Sequence, residues 1–383
     1  MQNFIFHNPT KVAFGKDSIA ELKNLLPADA KVLLLYGGGS IKKNGVYEQV
    51  VAQLGDHQWF EFSGIEANPE FDTLMQAVAM VKEQQIDFLL AVGGGSVVDG
   101  TKFVAAAANF EGEPWDILAK GAEVKSAIPL GCVLTLPATG TETNTASVVN
   151  RQELGKKLAF LSDHVRPQFA ILDPQVTYSL PERQLANGVV DAFVHVIEQY
   201  LTYPVNATVQ DRFAEGILQN LIEIGPKVFE PNNYEVRANL MWNATQALSG
   251  IVGVGVPQDW STHIIGHELT ALYNLDHAVT LAIVLPQMLR HQRKVKRGKL
   301  LQFAERVWHL DISDEEAAID KAIDSTEAFF RQMGMKTKLT EHNIDDSVIR
   351  LVPRKLMENG IMQLGENADM TPKDAEIVIR AAM

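Results

Sequence analysis

Five side chains carry most of the chemistry that the sequence could perform. In VVDAFVHVIEQY (189–200), Asp191 and His195 stand four residues apart in an otherwise mostly apolar run. On a helix that spacing puts a carboxylate and an imidazole on one face, one turn apart. In THIIGHELTALYNLDHAVT (262–280), His263 and His267 repeat the spacing. His277 follows the NLD turn signal and would begin the next helix. One carboxylate and up to four imidazoles on three helices suit a divalent first-row metal such as zinc or iron. Spacing alone leaves open which four groups would bind it. HIIGH lacks the glutamate of the HExxH zinc signature, and no CxxC is present, so a metalloprotease and a cysteine zinc site are both disfavoured.

Two glycine runs suggest a second kind of chemistry. GGGSIKK (37–43) and GGGSVVDG (93–100) each close a short apolar stretch, KVLLLY (31–36) and IDFLLAV (86–92). Glycine after a strand lets backbone amides approach a phosphate closely. Neither run is the GxGxxG of the common dinucleotide fold. Two copies at the expected carboxyl ends of parallel strands still point to nucleotide binding, because ligands bind there in open α/β sheets. Asp99, three residues beyond the second GGGS, is a poor phosphate neighbour. It could accept a hydrogen bond from an amide such as a nicotinamide's, or serve as an acid in a helix's first turn.

These groups need two kinds of scaffold. The apolar runs at 31–36, 86–92, 124–139 and 169–174 read as strands buried on both faces, hence a parallel sheet with helical crossovers such as 71–85. Beyond LPERQ (180–184) helical periodicity dominates, with helices expected over 183–201, 207–224, 234–251, 258–272, 278–292 and 298–308. Pro204, Pro226, Pro231 and Pro257 mark breaks between them. The expected fold is therefore an α/β domain over 1–180 followed by an all-α domain over 181–383, and 383 residues are too many for one core.

Composition narrows the partners. A formal net charge of −13 argues against nucleic acid or an anionic membrane surface as the main partner. No run of about 20 apolar residues could span a bilayer, and MQNFIFHNPTKVAFG lacks the layout of a signal peptide. The single cysteine, Cys132, excludes an internal disulfide and fits a reducing cytoplasm. It reads as a core residue of a strand.

In combination these motifs resemble the iron-containing (group III) alcohol dehydrogenase family over nearly the whole chain. GGGSVVD, TLPATGTETN (135–144), AILDPQVTYSLPERQLANGVVDAFVHVIEQY and HIIGHELTALYNLDHA carry the resemblance. It is strongest to the butanol-dehydrogenase-like branch of NADPH-dependent aldehyde reductases. The resemblance implies a Rossmann-like N-terminal domain and a helical C-terminal domain, a dehydroquinate-synthase-like architecture with its active site in the intervening cleft. It makes Asp191, His195, His263 and His277 the ligands of one zinc or iron ion, and His267 a nearby histidine facing nicotinamide and substrate. Gly94, Gly95 and Ser96 would cradle the pyrophosphate, and Asp99 would hold the carboxamide. Asn68, Thr135, Thr139, Asn144 and Lys157 would line the rest of the groove.

NAD-using members commonly place an aspartate after the first long strand, where this chain has Gly38. A carboxylate would repel a 2′-phosphate, whereas glycine amides and the Ser40 hydroxyl can accept one, with Lys42 and Lys43 near enough in sequence to add charge. NADP(H) is therefore the expected cofactor, and the resemblance implies small aldehydes or primary alcohols as substrates. Trp260, Leu272 and Tyr273 either shape an apolar pocket or pack in the core. A homodimer formed through the N-terminal sheet, by way of KVAFG (11–15), is a further implication of the family. A sugar-phosphate lyase on the same fold would want cationic residues in its cleft, and segments 187–200 and 258–281 hold neither lysine nor arginine. A non-catalytic nucleotide- or metal-binding protein is the remaining alternative.

Overall fold

The computed structural model describes all 383 residues. Continuous apolar runs become a six-stranded parallel sheet. Its strands are β1 (Lys11–Phe14), β2 (Val32–Tyr36), β3 (Trp59–Phe62), β4 (Phe88–Gly94), β5 (Leu130–Leu136) and β8 (Phe169–Leu172), in the order β1-β8-β5-β4-β2-β3. Every residue of β2 and β8 is buried, as expected where both faces are covered. The helices Phe71–Gln84 and Gly95–Ala108 supply crossovers. In the core, Phe88 stacks on Phe169 with ring centroids 5.9 Å apart. Gly131 of β5 makes room for that ring, since a Cβ there would stand 2.3 Å from Phe169 Cζ.

The strand order matters for binding. The chain leaves β2 toward the β3 edge, returns to β4 beside β2, then continues outward through β5 and β8. The reversal falls between β2 and β4, the two strands that end in GGGS. Open α/β sheets bind ligands at such a switch point. An antiparallel hairpin, β6 (Ala146–Arg151) with β7 (Lys156–Leu161), follows the sheet's third long strand. Of the apolar stretch 124–139, only Leu130–Leu136 is a strand.

Two compact units form, and neither is continuous in sequence. One comprises His7–Pro181 with Glu230–Thr245, the other Met1–Phe6, Glu182–Phe229 and Gln246–Met383. A single boundary at residue 180 thus leaves two segments on the other side of the line. The second unit is helical. Its helices include Glu182–Tyr200, Thr208–Ile224, Ser261–Tyr273, His277–His291 and Arg297–Arg306. Three more, Glu315–Gln332, Val348–Glu358 and Pro372–Ala381, complete its C-terminal part. No helix is long and apolar enough to cross a membrane.

Candidate metal centre and dinucleotide groove

The helix Glu182–Tyr200 is buried along almost all of its second half, Asp191 and His195 included. Asp191 Oδ1 is the hub of the polar cluster. It lies 3.3 Å from His195 Nδ1, 3.8 Å from His263 Nε2 and 3.6 Å from His277 Nε2. Ligand atoms of Asp191, His195 and His263 all lie within 4.8 Å of one another. The three residues are buried, while the His277 side chain keeps 23% of its exposure.

Local signals put these groups in place. Asn274, in the left-handed conformation, ends the helix Ser261–Tyr273, and His277 opens the next helix. Asp276, just before it, accepts hydrogen bonds from Arg183 (3.0 Å) and Asn187 (2.9 Å), both on the Asp191 helix. The turn that delivers His277 is thereby tied to the helix that delivers the hub. His267 sits one turn beyond His263, its ring 6.4 Å from His263 and 5.3 Å from His277.

Electrostatics separate the histidines. Burial pulls the His195 imidazole down to about 4, against the attraction of Asp191. Burial also opposes charge on His263, but Glu198 and Asp191 outweigh it and push this group up to about 9. Glu198, also buried, pairs with His263 Nδ1 and accepts the Thr262 backbone N–H at 2.6 Å. The sequence reading missed Glu198, although it lies seven residues after Asp191 and three after His195.

The donor set fits a divalent cation. Two ligand atoms about 2.1 Å from a common ion at a tetrahedral angle stand about 3.4 Å apart, and the hub distances of 3.3, 3.6 and 3.8 Å bracket that value. They are too long for good hydrogen bonds. His195 Nδ1 and His263 Nε2 are buried with no hydrogen-bond partner, which costs free energy unless something else satisfies them. Trp260 flanks the site, its ring 5.4 Å from His263 and 6.1 Å from His195. Leu272 and Tyr273 instead pack against the C-terminal apolar core.

The expected cofactor residues gather in the sheet-containing unit. Gly94 precedes the helix Gly95–Ala108, so Gly95, Ser96 and Val97 open a fourteen-residue helix whose N-terminus favours anions. Gly95 touches the Thr139 side chain so closely that a Cβ would stand 2.5 Å from its Oγ1. Ser96 donates its hydroxyl proton to the Ala67 carbonyl. Lys157 of β7 donates to Asn68 Oδ1 at 3.0 Å, and Thr135 lies at the end of β5. Nothing lies within 4 Å of a Cβ built on Gly38, and Gly39 takes a left-handed φ of +88°.

Three of the residues named from the sequence already have partners within the chain. Asp99 is buried, and its oxygens already accept from the Thr141 hydroxyl (2.5 Å) and the Val148 N–H (3.1 Å). Its carboxyl is pushed up by burial, against the pull of Lys102. Asn144 turns its Oδ1 to Lys102 Nζ (3.0 Å) and the Ala146 N–H (2.9 Å). Lys42 is engaged by Glu61 at 3.4 Å and lies over the Tyr47 ring at 4.5 Å, so much of its charge is already countered. Lys102, fully buried, was not foreseen. Its ammonium donates to Thr141 Oγ1, Ala146 O and Asn144 O at 2.8–2.9 Å. Its signal was a lysine three residues after Asp99 on an otherwise apolar helix.

Comparison with known proteins shows the family. Residues 9–174 match the family described as iron-containing alcohol dehydrogenase, and residues 185–383 match the C-terminal part of the Fe-containing alcohol dehydrogenase family. The chain is 57% identical over 386 residues to the NADPH-dependent aldehyde reductase YqhD of Escherichia coli, with all of both chains covered. It is 40% identical over 390 residues to a probable NADH-dependent butanol dehydrogenase 1 of Bacillus subtilis, again covering all of both. The crystal structure of E. coli K-12 YqhD superposes with a TM-score of 0.99, covering 100% of this chain and 99% of that one. The chain belongs to the iron-containing alcohol dehydrogenase family.

Proposed function

We propose that this protein is a metal-dependent aldehyde reductase, moving hydride between NADP(H) and small aldehydes or primary alcohols. The observation that carries the reading is the hub itself, one buried carboxylate oxygen with three imidazole nitrogens 3.3–3.8 Å away on three different helices. Asp191, His195, His263 and His277 would hold one zinc or iron ion. When bound, the cation would polarise the aldehyde oxygen as a Lewis acid, and the reduced nicotinamide would supply the hydride.

The chain's own residues do the rest. Asp191 is the one carboxylate of the ligand set and holds the hub position. His267, whose ring lies 5.3 Å from that of His277, is the proposed donor of a proton to the product oxygen. The helix start at Gly95 and Ser96 receives the pyrophosphate. Asp99 shapes the carboxamide pocket through Thr141 and Val148, while Asn68, Thr135, Thr139, Asn144 and Lys157 border or brace the groove. The open backbone at Gly38 and the Ser40 hydroxyl favour NADPH over NADH, since no carboxylate stands there to repel a 2′-phosphate. Activity in the cytoplasm and a homodimer joined along the open edge of β1 complete the proposal. The lone buried cysteine supports the first, and the pairing of β1 on one side only supports the second.

The test is metal analysis combined with aldehyde-dependent NADPH consumption. One equivalent of zinc or iron per chain, turnover of short aliphatic aldehydes, and loss of both on chelation are expected. Turnover unchanged after complete metal removal would contradict the reading.

A further inference from the structure

Glu198 is a buried carboxylate for which hydride transfer itself has no use. It follows Asp191 by seven residues and His195 by three, so it shares their helix face. Both of its oxygens are committed to the next segment of the site. Oε1 accepts the Thr262 N–H at 2.6 Å, and Oε2 pairs with His263 Nδ1. The Glu198 carbonyl also accepts the Asp259 N–H at 2.8 Å. On the far side of the same ring, His263 Nε2 is buried without a hydrogen-bond partner, 3.8 Å from the hub oxygen.

A ligating His263 must give up one of the two protons that Glu198 and Asp191 favour on the metal-free ring, which leaves one. If Nδ1 holds it and donates to Glu198, Nε2 keeps its lone pair and faces the hub. We propose that Glu198 is a positioning residue for the metal. By accepting the His263 Nδ1–H it fixes the ligating tautomer, and so sets the affinity of the site for its cation. The inference rests on the metal reading given above. Carboxylates that hold a ligating histidine through its other nitrogen do this in metal sites generally.

Glu198 also completes the charge balance. Asp191 and neutral imidazoles alone would leave a divalent cation with one net positive charge in a buried place. The second carboxylate brings the cluster to neutrality, which lowers the cost of burying the ion.

Glutamine is a sharp probe because it keeps size and shape but offers one acceptor oxygen where glutamate has two. In Glu198→Gln, an oxygen turned to the Thr262 N–H leaves the NH₂ facing His263 Nδ1. That selects the tautomer with Nε2 protonated, which cannot ligate. The reverse orientation sets the NH₂ against the Thr262 N–H.

The experiment is zinc affinity by competition with a chromophoric chelator, for the unaltered protein, Glu198→Gln and His263→Ala. Circular dichroism and melting of the metal-free forms accompany it. Expected is about a 10- to 100-fold weaker affinity in Glu198→Gln with metal-free melting retained. An affinity equal to the unaltered protein's, while His263→Ala loses zinc, overturns the proposal. Failure of the underlying reading looks different, since the unaltered protein itself would then take up no stoichiometric zinc. Should Glu198→Gln not fold, ¹⁵N-histidine NMR of the unaltered zinc-loaded protein decides. A His263 ring protonated at Nδ1 and metal-bound at Nε2 supports the proposal, and the opposite assignment overturns it.

Discussion

Asp191 Oδ1 lies 3.6 Å from His277 Nε2, although one residue sits in the middle of a buried helix and the other begins a different helix at a partly exposed position. The contrast in exposure ranks the proposed ligands. The His277 side chain is 23% exposed and that of His263 only 9%, so water should substitute for the first imidazole more readily than for the second. His263→Ala should therefore cost more zinc affinity than the roughly 100-fold that loss of a supporting partner costs. His277→Ala should retain measurable binding. Equilibrium dialysis of both variants checks the order.

Asp276 anchors the turn that carries His277 through Arg183 and Asn187. Asp276→Ala should weaken metal binding with melting little changed, because the ion pair to the exposed Arg183 adds little stability. Zinc titration of Asp276→Ala beside a melting curve measures this. A fall in melting temperature with affinity unaltered would contradict it.

Gly95 and Thr139 pack too closely for a side chain at residue 95. Gly95→Ala should raise the KM for NADPH at least about tenfold by displacing the helix start from the phosphates. Adding Thr139→Ala removes the atoms at 2.5 and 2.9 Å but leaves a Cβ at 3.3 Å. Recovery of KM in the double variant should be partial. Steady-state kinetics at saturating aldehyde reads both.

Lys102 braces the segment 141–146 from within, and Lys102→Met leaves its acceptors without a donor. A loss of about 3 kcal/mol is expected from removing one member of a buried charged network, along with weaker dinucleotide binding. The group also has a pH signature. Burial pulls its folded-state pKa to about 8, with Asp99 opposing, from an ordinary 10.5. Between those values the unfolded chain binds more protons than the folded one. This lysine therefore makes unfolding free energy rise with pH there, at a slope of up to about 1.4 kcal/mol per pH unit. Urea melts from pH 7 to 10.5 should show a steeper rise in the unaltered protein than in Lys102→Met.

Lys42, four residues after Gly38 in sequence, is held by Glu61. Glu61→Gln should free its charge and raise the preference for NADPH over NADH, by about threefold given the exposure of the pair. The gain should vanish in about 1 M salt. The ratio of kcat/KM for the two cofactors measures it.

Much of this was legible in the sequence because it follows from periodicity and turn chemistry. The runs KVLLLY and IDFLLAV are strands ending at the glycine turns, and His277 begins a helix just after the NLD signal. What escaped depends on which atoms meet across separate elements. Nothing local marks Glu198 as the partner of His263, or Lys102 as the brace of 141–146. A buried charge in a helix declares itself only when its neighbours are known. The commitment of Lys42 to Glu61 likewise depends on β2 and β3 lying side by side. The hairpin of β6 and β7 was missed because RQELGKK separates two short runs of mixed polarity that carry no strong strand signal.

The proposed chemistry depends on one cation held at the Asp191 hub. The direct measurement is anomalous diffraction at the zinc and iron edges from crystals of the metal-loaded protein. It should give a single peak about 2.0–2.3 Å from Asp191 Oδ1 and one nitrogen each of His195, His263 and His277. Loaded crystals with no peak there, or with their only peak on other residues, would contradict it.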